Sequence, residues 1–435
     1  MPGIIGIRRE DKNIWEGRVP LIPNDIFNLR KKYDIQTIIQ PSNIRTFSDD
    51  EYRNANAKIS EDLSSVSTIF AVKEIPVEFL QANKTYMFFS HTIKGQSHNM
   101  MMLNKLMDLK CNLIDFERIV DEQDMRMIFF GHYAGLAGML RTLRAYGRKI
   151  KAQGYSTPFE KIKRLSEYAS VEDAKEHVRE IGKEINERGL PVEVCPLIVG
   201  FTGYGNVSKG AQEIFDLLPY YEIHPAEFVD KYDQIQSDRS NLYKVVFKEK
   251  HMVNPKDGQF ELQDYYDHPE KYVPNFHIYL PYLTVLMNCI FWSADYPRLV
   301  TKNYLRNRQD TTLSVIGDIS CDINGAVEIT YKTTDPDDDT FTYFPLQDKF
   351  KDGIYSEGIT IMAVDNLPAD FSREASIEFS SVLKEFVNEI VMADFNVDFE
   401  NLRLSYPIKK ALILHRGALT VEYRYMEQFL EQESL

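Results

Sequence analysis

Two titratable residues close consecutive apolar runs. Lys73 ends the run 67–73 and His91 ends the run 84–91. If both runs are strands of one parallel sheet, their side chains reach one cleft, because ligands of open α/β sheets lie outside the carboxyl ends of the strands. A lysine and a histidine there suit an amine–carbonyl reaction. Imine formation moves one proton off the amine nitrogen and another onto the carbinolamine oxygen, and groups poised near neutral pH do this best. Hydride can then add to the imine carbon. Glu74, beside Lys73, and Glu117, after a third apolar run, are placed to tune the pKa values of the pair. The competing reading is a solvated strand-end lysine and a hydrogen-bonded structural histidine.

A hydride needs a carrier, and one segment fits. The apolar run 197–202 is followed at once by Gly203-Tyr204-Gly205-Asn206-Val207-Ser208-Lys209-Gly210. Val207, Ala211, Ile214, Phe215 and Leu218 then recur at helical spacing. Strand, glycine turn and helix form the context that a dinucleotide fingerprint requires. Gly203 permits the tight turn. Gly205 lets the backbone approach a pyrophosphate lying on the open N–H groups of the helix start. The third glycine of the fingerprint is missing, with Ser208 in its place. The competing reading is a turn that merely needs a positive φ. The next strand is expected at 220–224, and its tip is His224-Pro225 rather than a carboxylate, which leans towards NADP over NAD.

Three further groups are candidates. Arg18, in Trp15-Glu16-Gly17-Arg18-Val19-Pro20, can hold a substrate carboxylate bidentately or form a surface ion pair, and Arg126 has the same two readings. Asp318 and Asp322 follow an apolar run, and either can accept a hydrogen bond from a substrate ammonium or a cofactor hydroxyl, or cap the next turn.

The elements that must position these groups alternate. Strands are expected at 4–8, 36–40, 67–73, 84–91 and 111–116. Helices are expected from an Asn24 cap to Tyr33, from Ser48, and over 97–110 and 131–150. That βαβα order predicts an α/β protein of two Rossmann-like doubly wound domains with an active-site cleft between them. The expected domains are a discontinuous substrate domain, about 1–140 plus 345–435, a dinucleotide-binding domain, about 190–335, and a helical linker, about 141–189. The apolar stretch 278–292 is too short to span a bilayer and is expected to be a buried helix. The acidic run 335–339 is expected to be a solvated loop.

Composition narrows the class. The chain of 435 residues carries a net charge of −14 and no long basic run, which excludes a nucleic-acid partner held by charge. No signal peptide or membrane span is expected. The four cysteines Cys111, Cys195, Cys289 and Cys321 lie far apart, so no zinc or disulfide framework is expected and a reducing, cytoplasmic compartment fits. Self-association is left open.

Taken together, these segments resemble the lysine–2-oxoglutarate reductase (saccharopine dehydrogenase, L-lysine-forming) family, within the alanine dehydrogenase and transhydrogenase-like group. The resemblance is carried by Arg8-Arg9-Glu10, Trp15-Glu16-Gly17-Arg18-Val19-Pro20-Leu21, Val72-Lys73-Glu74, Ser90-His91-Thr92, Ala134-Gly135-Leu136-Ala137-Gly138, the glycine turn through Phe215, Asp318-Ile319-Ser320-Cys321-Asp322 and His415-Arg416-Gly417. It implies an NADP- or NAD-dependent enzyme interconverting lysine plus 2-oxoglutarate with saccharopine. It implies that Lys73 and His91 are the acid/base pair, modulated by Glu74 and Glu117. Arg18, Arg126 and Phe130 would lie near the substrate carboxylates, and one of Asp318 and Asp322 at the substrate amine or the nicotinamide ribose. Many relatives are fused to a second enzyme, and a monofunctional chain is expected here. The other readings are an alanine-dehydrogenase-like enzyme and a non-catalytic nucleotide sensor.

Overall fold

Short runs of branched and aromatic residues, broken by Pro, Asn and Gly, set the strands. The computed structural model describes residues 3–236, 238–308 and 311–431. The chain divides into two compact units, Met1–Phe130 with Ser372–Leu435, and Gly131–Phe371. The expected boundaries differ in three places: 131–140, the helical segment 141–189 and 345–371 all belong to the second unit. Helix Gly131–Ala152 packs along helix Asn206–Phe215 so closely that a Cβ on Gly135 would lie 2.0 Å from the Val207 carbonyl oxygen. Helix Val171–Arg188 buries Val178, Ile181 and Ile185 in the same core.

In the first unit, the sheet runs in the order Lys58–Ile59, Gln36–Ile39, Ile4–Ile7, Thr68–Phe70, Thr85–Phe88 and Asn112–Asp115, all parallel. The antiparallel hairpin Leu412–His415 and Ala418–Leu419 closes the far edge. The order reverses between Ile4–Ile7 and Thr68–Phe70. Loops diverge at that switch point and leave a crevice, the usual ligand position of such sheets. The loops leaving those two strands carry Arg8 to Pro20 and Val72 to Glu74. The first helix is Pro23–Tyr33, and Ile22, not Asn24, is its N-cap, because Pro23 takes the first helical position, where its missing N–H costs nothing.

In the second unit, the order is Tyr220–Glu222, Leu242–Phe247, Ile198–Thr202, Val285–Asn288, Val315–Asp318 and Ile359–Met362, again parallel. Thr340–Phe344 and Lys349–Asp352 continue it antiparallel. The stretch expected as a buried helix instead supplies the central strand Val285–Asn288, every residue of it buried. A fully buried strand is apolar on both faces, and its pattern matches that of a buried helix. The acidic run is solvated only in part. Asp339 is buried and takes Arg141 Nη1 at 3.0 Å, while Arg141 Nε bonds Asp370 at 2.6 Å. Among the described residues no helix is long and apolar enough to cross a membrane.

Candidate active site

Glu10 organises the end of strand Thr68–Phe70. Its carboxylate accepts the backbone N–H of Val72 at 2.6 Å and of Lys73 at 2.9 Å, which turns the chain after the strand. Burial, helped by the charge of Glu16, raises the Glu10 pKa to about 7. Glu16 is the second buried acid of this loop. It binds Arg18 bidentately, with Nε to Oε1 at 2.7 Å and Nη2 to Oε2 at 2.5 Å. Helix Ser372–Met392 clasps the loop from the C-terminal end of the chain. Ser376 Oγ accepts from Val19 N at 2.9 Å, and Ser380 Oγ accepts from Ile22 N at 3.0 Å.

Lys73 is partly buried in this setting, and no carboxylate pairs with its ammonium among the described residues. Burial first, then the charge of Arg18, holds its pKa below the ordinary lysine range, although Glu16 and Glu74 oppose this. A lysine so placed gives up a proton more readily than one in water.

The parallel register sets Phe70 beside Met87, so the turns that follow bring Glu74 to His91. His91 Nδ1 lies 2.6 Å from Glu74 Oε1, and Lys12 Nζ lies 3.0 Å from Glu74 Oε2. His91 holds a left-handed φ of 51°, uncommon for a non-glycine residue, and stacks on Phe89 at 6.2 Å. Burial favours the neutral form of Glu74, but the bond and charge of His91, with Lys12, outweigh it and hold the Glu74 pKa at about 2. A depressed carboxylate stabilises the fold above its unfolded pKa and loses that contribution as pH falls through the folded one. Stability should therefore drop by on the order of 2–3 kcal/mol between pH 4.5 and about 2 on account of this group. Thermal unfolding against pH should show that slope flattened in Glu74→Gln, and an unchanged slope would reject the role.

Behind the pair, Asp115 closes the third strand and accepts the Ser90 N–H at 3.1 Å and the Glu117 N–H at 2.7 Å, besides the Ser90 hydroxyl. Burial pushes the Asp115 pKa up to about 6. Glu117 meets Arg126 at 3.5 Å on the more exposed side. Phe130 closes the floor. It stacks on Phe379 at 4.6 Å and lies under the Arg18 guanidinium at 4.3 Å. The first unit thus gathers Lys73, Glu74, His91, Glu117, Arg18, Arg126 and Phe130 around the carboxyl edge of one sheet. The bidentate partner of Arg18 in this structure is Glu16, and the pair is buried, not on the surface. Glu10, Glu16 and Asp115 are additions to the expected set. The carboxylates inside Arg8-Arg9-Glu10 and Trp15-Glu16-Gly17 were the available signal.

In the second unit, Gly203 has a φ of 85° directly after strand Ile198–Thr202. Gly205 is the N-cap of helix Asn206–Phe215, with no side chain capping it and open space where a Cβ would point. The N–H groups of Asn206, Val207 and Ser208 begin a helix whose first backbone bond is Lys209 N to Gly205 O at 2.9 Å. This cradle suits a pyrophosphate. Ser208 is buried and accepts from Gln212 Nε2 at 2.9 Å. Gly210, facing the His132 carbonyl, supplies the close helix packing of the missing third glycine.

A strand forms at the expected place, Tyr220–Glu222, but it does not lie beside the glycine turn. Leu242–Phe247 pairs with Ile198–Thr202, and Tyr220–Glu222 lies one place further out. The adjacent tip is therefore Lys248, with Nζ 5.4 Å from the centre of the Tyr204 ring. His224 caps helix Pro225–Ile235 through Nδ1, which accepts from Ala226 N at 3.2 Å. A cavity of about 640 Å³ joins these tips, with Tyr204, Lys209, His224, Lys248, Lys250 and His251 in its lining. Glu222 also lines it and pairs with Lys244 at 3.3 Å. Asp318 is buried with both oxygens engaged by Asn288 Nδ2 at 2.8 Å and Thr330 Oγ1 at 2.6 Å, and burial raises its pKa to about 6. It holds strands together, whereas Asp322 is partly exposed.

Both units are thus doubly wound sheets, one with a cluster of titratable side chains at its carboxyl edge and one with a glycine turn and an uncapped helix start there. The alanine dehydrogenase/PNT N-terminal domain matches residues 6–137 and the corresponding C-terminal domain residues 289–422. The chain belongs to the alanine dehydrogenase/PNT family. It is 36% identical to an alpha-aminoadipic semialdehyde synthase of Arabidopsis thaliana over 98% of this chain and 41% of that protein. A mitochondrial synthase of the same name from Rattus norvegicus is 35% identical over 98% of this chain and 48% of that one. The chain spans about half the length of these relatives. A saccharopine dehydrogenase [NAD(+), L-lysine-forming] of Neurospora crassa is 24% identical over 87% of this chain and 89% of its own. A solved L-alanine dehydrogenase shares the fold at a TM-score of 0.59 and 15% identity, covering 99% of both chains.

Proposed function

We propose that the chain is a nicotinamide-dependent oxidoreductase interconverting lysine plus 2-oxoglutarate with saccharopine. The observation that carries this reading is the unpaired, partly buried Lys73 next to the Glu74–His91 pair at the carboxyl ends of adjacent strands. The alignment with the synthases over 98% of the chain supports the substrate. Lysine's ε-nitrogen attacks the keto carbon, and Lys73 takes the proton that the nitrogen sheds. His91, its Nδ1 held by Glu74, protonates the carbinolamine oxygen so that water leaves and the imine forms. Arg18 and Arg126 supply positive charge for substrate carboxylates, Phe130 lines the floor, and Glu117 modulates the pair. A bound nicotinamide provides or accepts the hydride at the imine carbon.

NADP is the proposed carrier. The cradle Gly203 to Ser208 takes the pyrophosphate, and Lys248 and Lys250, with His224, offer a cationic rim to a ribose phosphate. Asp322, more exposed than Asp318, is assigned to the substrate amine or nicotinamide ribose. Lys248→Ala with Lys250→Ala should raise KM for NADPH on the order of tenfold and leave KM for NADH unchanged, since a charge-assisted bond is worth about 1.5–3 kcal/mol. An equal change for both cofactors would reject the 2′-phosphate assignment. Pyruvate with ammonia tests the alanine-dehydrogenase-like alternative. A cytoplasmic address belongs to the proposal, and fractionation tests it against the mitochondrial one in the rat relative's name.

A further inference from the structure

A second polar cavity opens in the first unit at the opposite edge of its sheet. Thr68, Thr85 and Asn112 are the first residues of three neighbouring strands and stand in register, Thr68 beside Thr85 beside Asn112. All three are at least nine-tenths buried. They line a cavity of about 560 Å³, within the size range of small-molecule sites. Asn112 Nδ2 donates to Thr85 Oγ1 at 3.0 Å, and Asn112 Oδ1 accepts from Arg416 N at 2.8 Å. The Thr68 hydroxyl, on a side chain 3% exposed, has no protein partner among the described residues.

The mouth is cationic in a chain of net charge −14. Lys110 and Arg416 line it, and neither pairs with a carboxylate among the described residues. Arg416 Nη1 reaches the Asn396 carbonyl at 3.1 Å. Both cations sit where the backbone favours other residues. Lys110 follows a helix at a φ of 54°, where Gly is the common choice. Arg416 is the first residue of a two-residue hairpin turn at a φ of 53°, where Asn or Asp is favoured. Asp394 also lines the cavity, with Oδ1 occupied by Asn396 N at 3.0 Å, and Ile390, Val391 and Phe395 form an apolar wall.

We propose that this cavity binds a small aliphatic carboxylate, its oxygens on Arg416 and Lys110, its polar tail on the Thr68 hydroxyl and its chain against the apolar wall. The site is separate from Lys73 and His91, which follow the other ends of the same strands, and does not depend on the function proposed above. The test is thermal unfolding of the whole chain with succinate or inorganic phosphate at matched ionic strength. Succinate should raise Tm by about 2 °C. Arg416→Asn suits the turn, so that variant should fold at least as well as the parent and lose the succinate shift. Thr68→Val, nearly isosteric, should weaken it. A succinate shift that survives Arg416→Asn, a shift with phosphate alone, or none with succinate would overturn the proposal.

Discussion

Lys73→Met should lower kcat by about 10²–10⁴-fold while KM for lysine and 2-oxoglutarate moves only a few-fold. The argument is electrostatic. Burial and the neighbouring Arg18 depress the Lys73 pKa, so its neutral form is populated at lower pH than that of a solvated lysine. Methionine keeps most of the stem and removes the titrating nitrogen. Because the ammonium is desolvated without a paired carboxylate, its loss should not lower Tm, so the kinetic effect is separable from unfolding. Lys73→Arg should fail to restore the rate, since arginine stays protonated. His91→Gln should cost a similar factor, because glutamine can still bond Glu74 but cannot exchange a proton. A kcat within threefold of the parent for Lys73→Met would remove Lys73 from the chemistry.

Glu16→Ala should destabilise the first unit by about 3–5 kcal/mol, the cost of leaving a buried charge without its partner. Arg18 is 4% exposed and Glu16 1% exposed, so water does not take over the bidentate bond. Glu16 adds to the field at both Lys73 and Glu10, and Arg18 to that at Lys73, so the proposed chemistry as well as stability should respond to a change in the loop. Removing both partners with Glu16→Ala and Arg18→Met should cost less than Glu16→Ala alone, since no charge is then stranded. Differential scanning calorimetry reads both. A double variant less stable than Glu16→Ala would show that the pair acts through packing, not charge.

The glycine turn was legible because its chemistry is local: strand, two glycines and helix are contiguous in the chain. Lys73 and His91 were legible as the ends of neighbouring apolar runs, although the strands stop earlier, at Phe70 and Phe88, and both residues lie in the turns that follow. Glu10, Glu16 and Asp115 were not, because their partners are backbone N–H groups and a guanidinium brought in by folding. The strand tip beside the glycine turn was not legible, for a related reason. Nothing in 220–224 says that Leu242–Phe247 inserts beside Ile198–Thr202, and only that pairing puts Lys248 at the tip. Asp339 looked solvated among its acidic neighbours until Arg141, distant in sequence, was set against it.

The most direct test of the account is the loss of NADPH near-ultraviolet absorbance when the purified chain meets lysine and 2-oxoglutarate. Turnover that requires both substrates, yields saccharopine and collapses in Lys73→Met is the predicted result. No turnover with the complete mixture, or turnover with pyruvate and ammonia that ignores lysine, would contradict it.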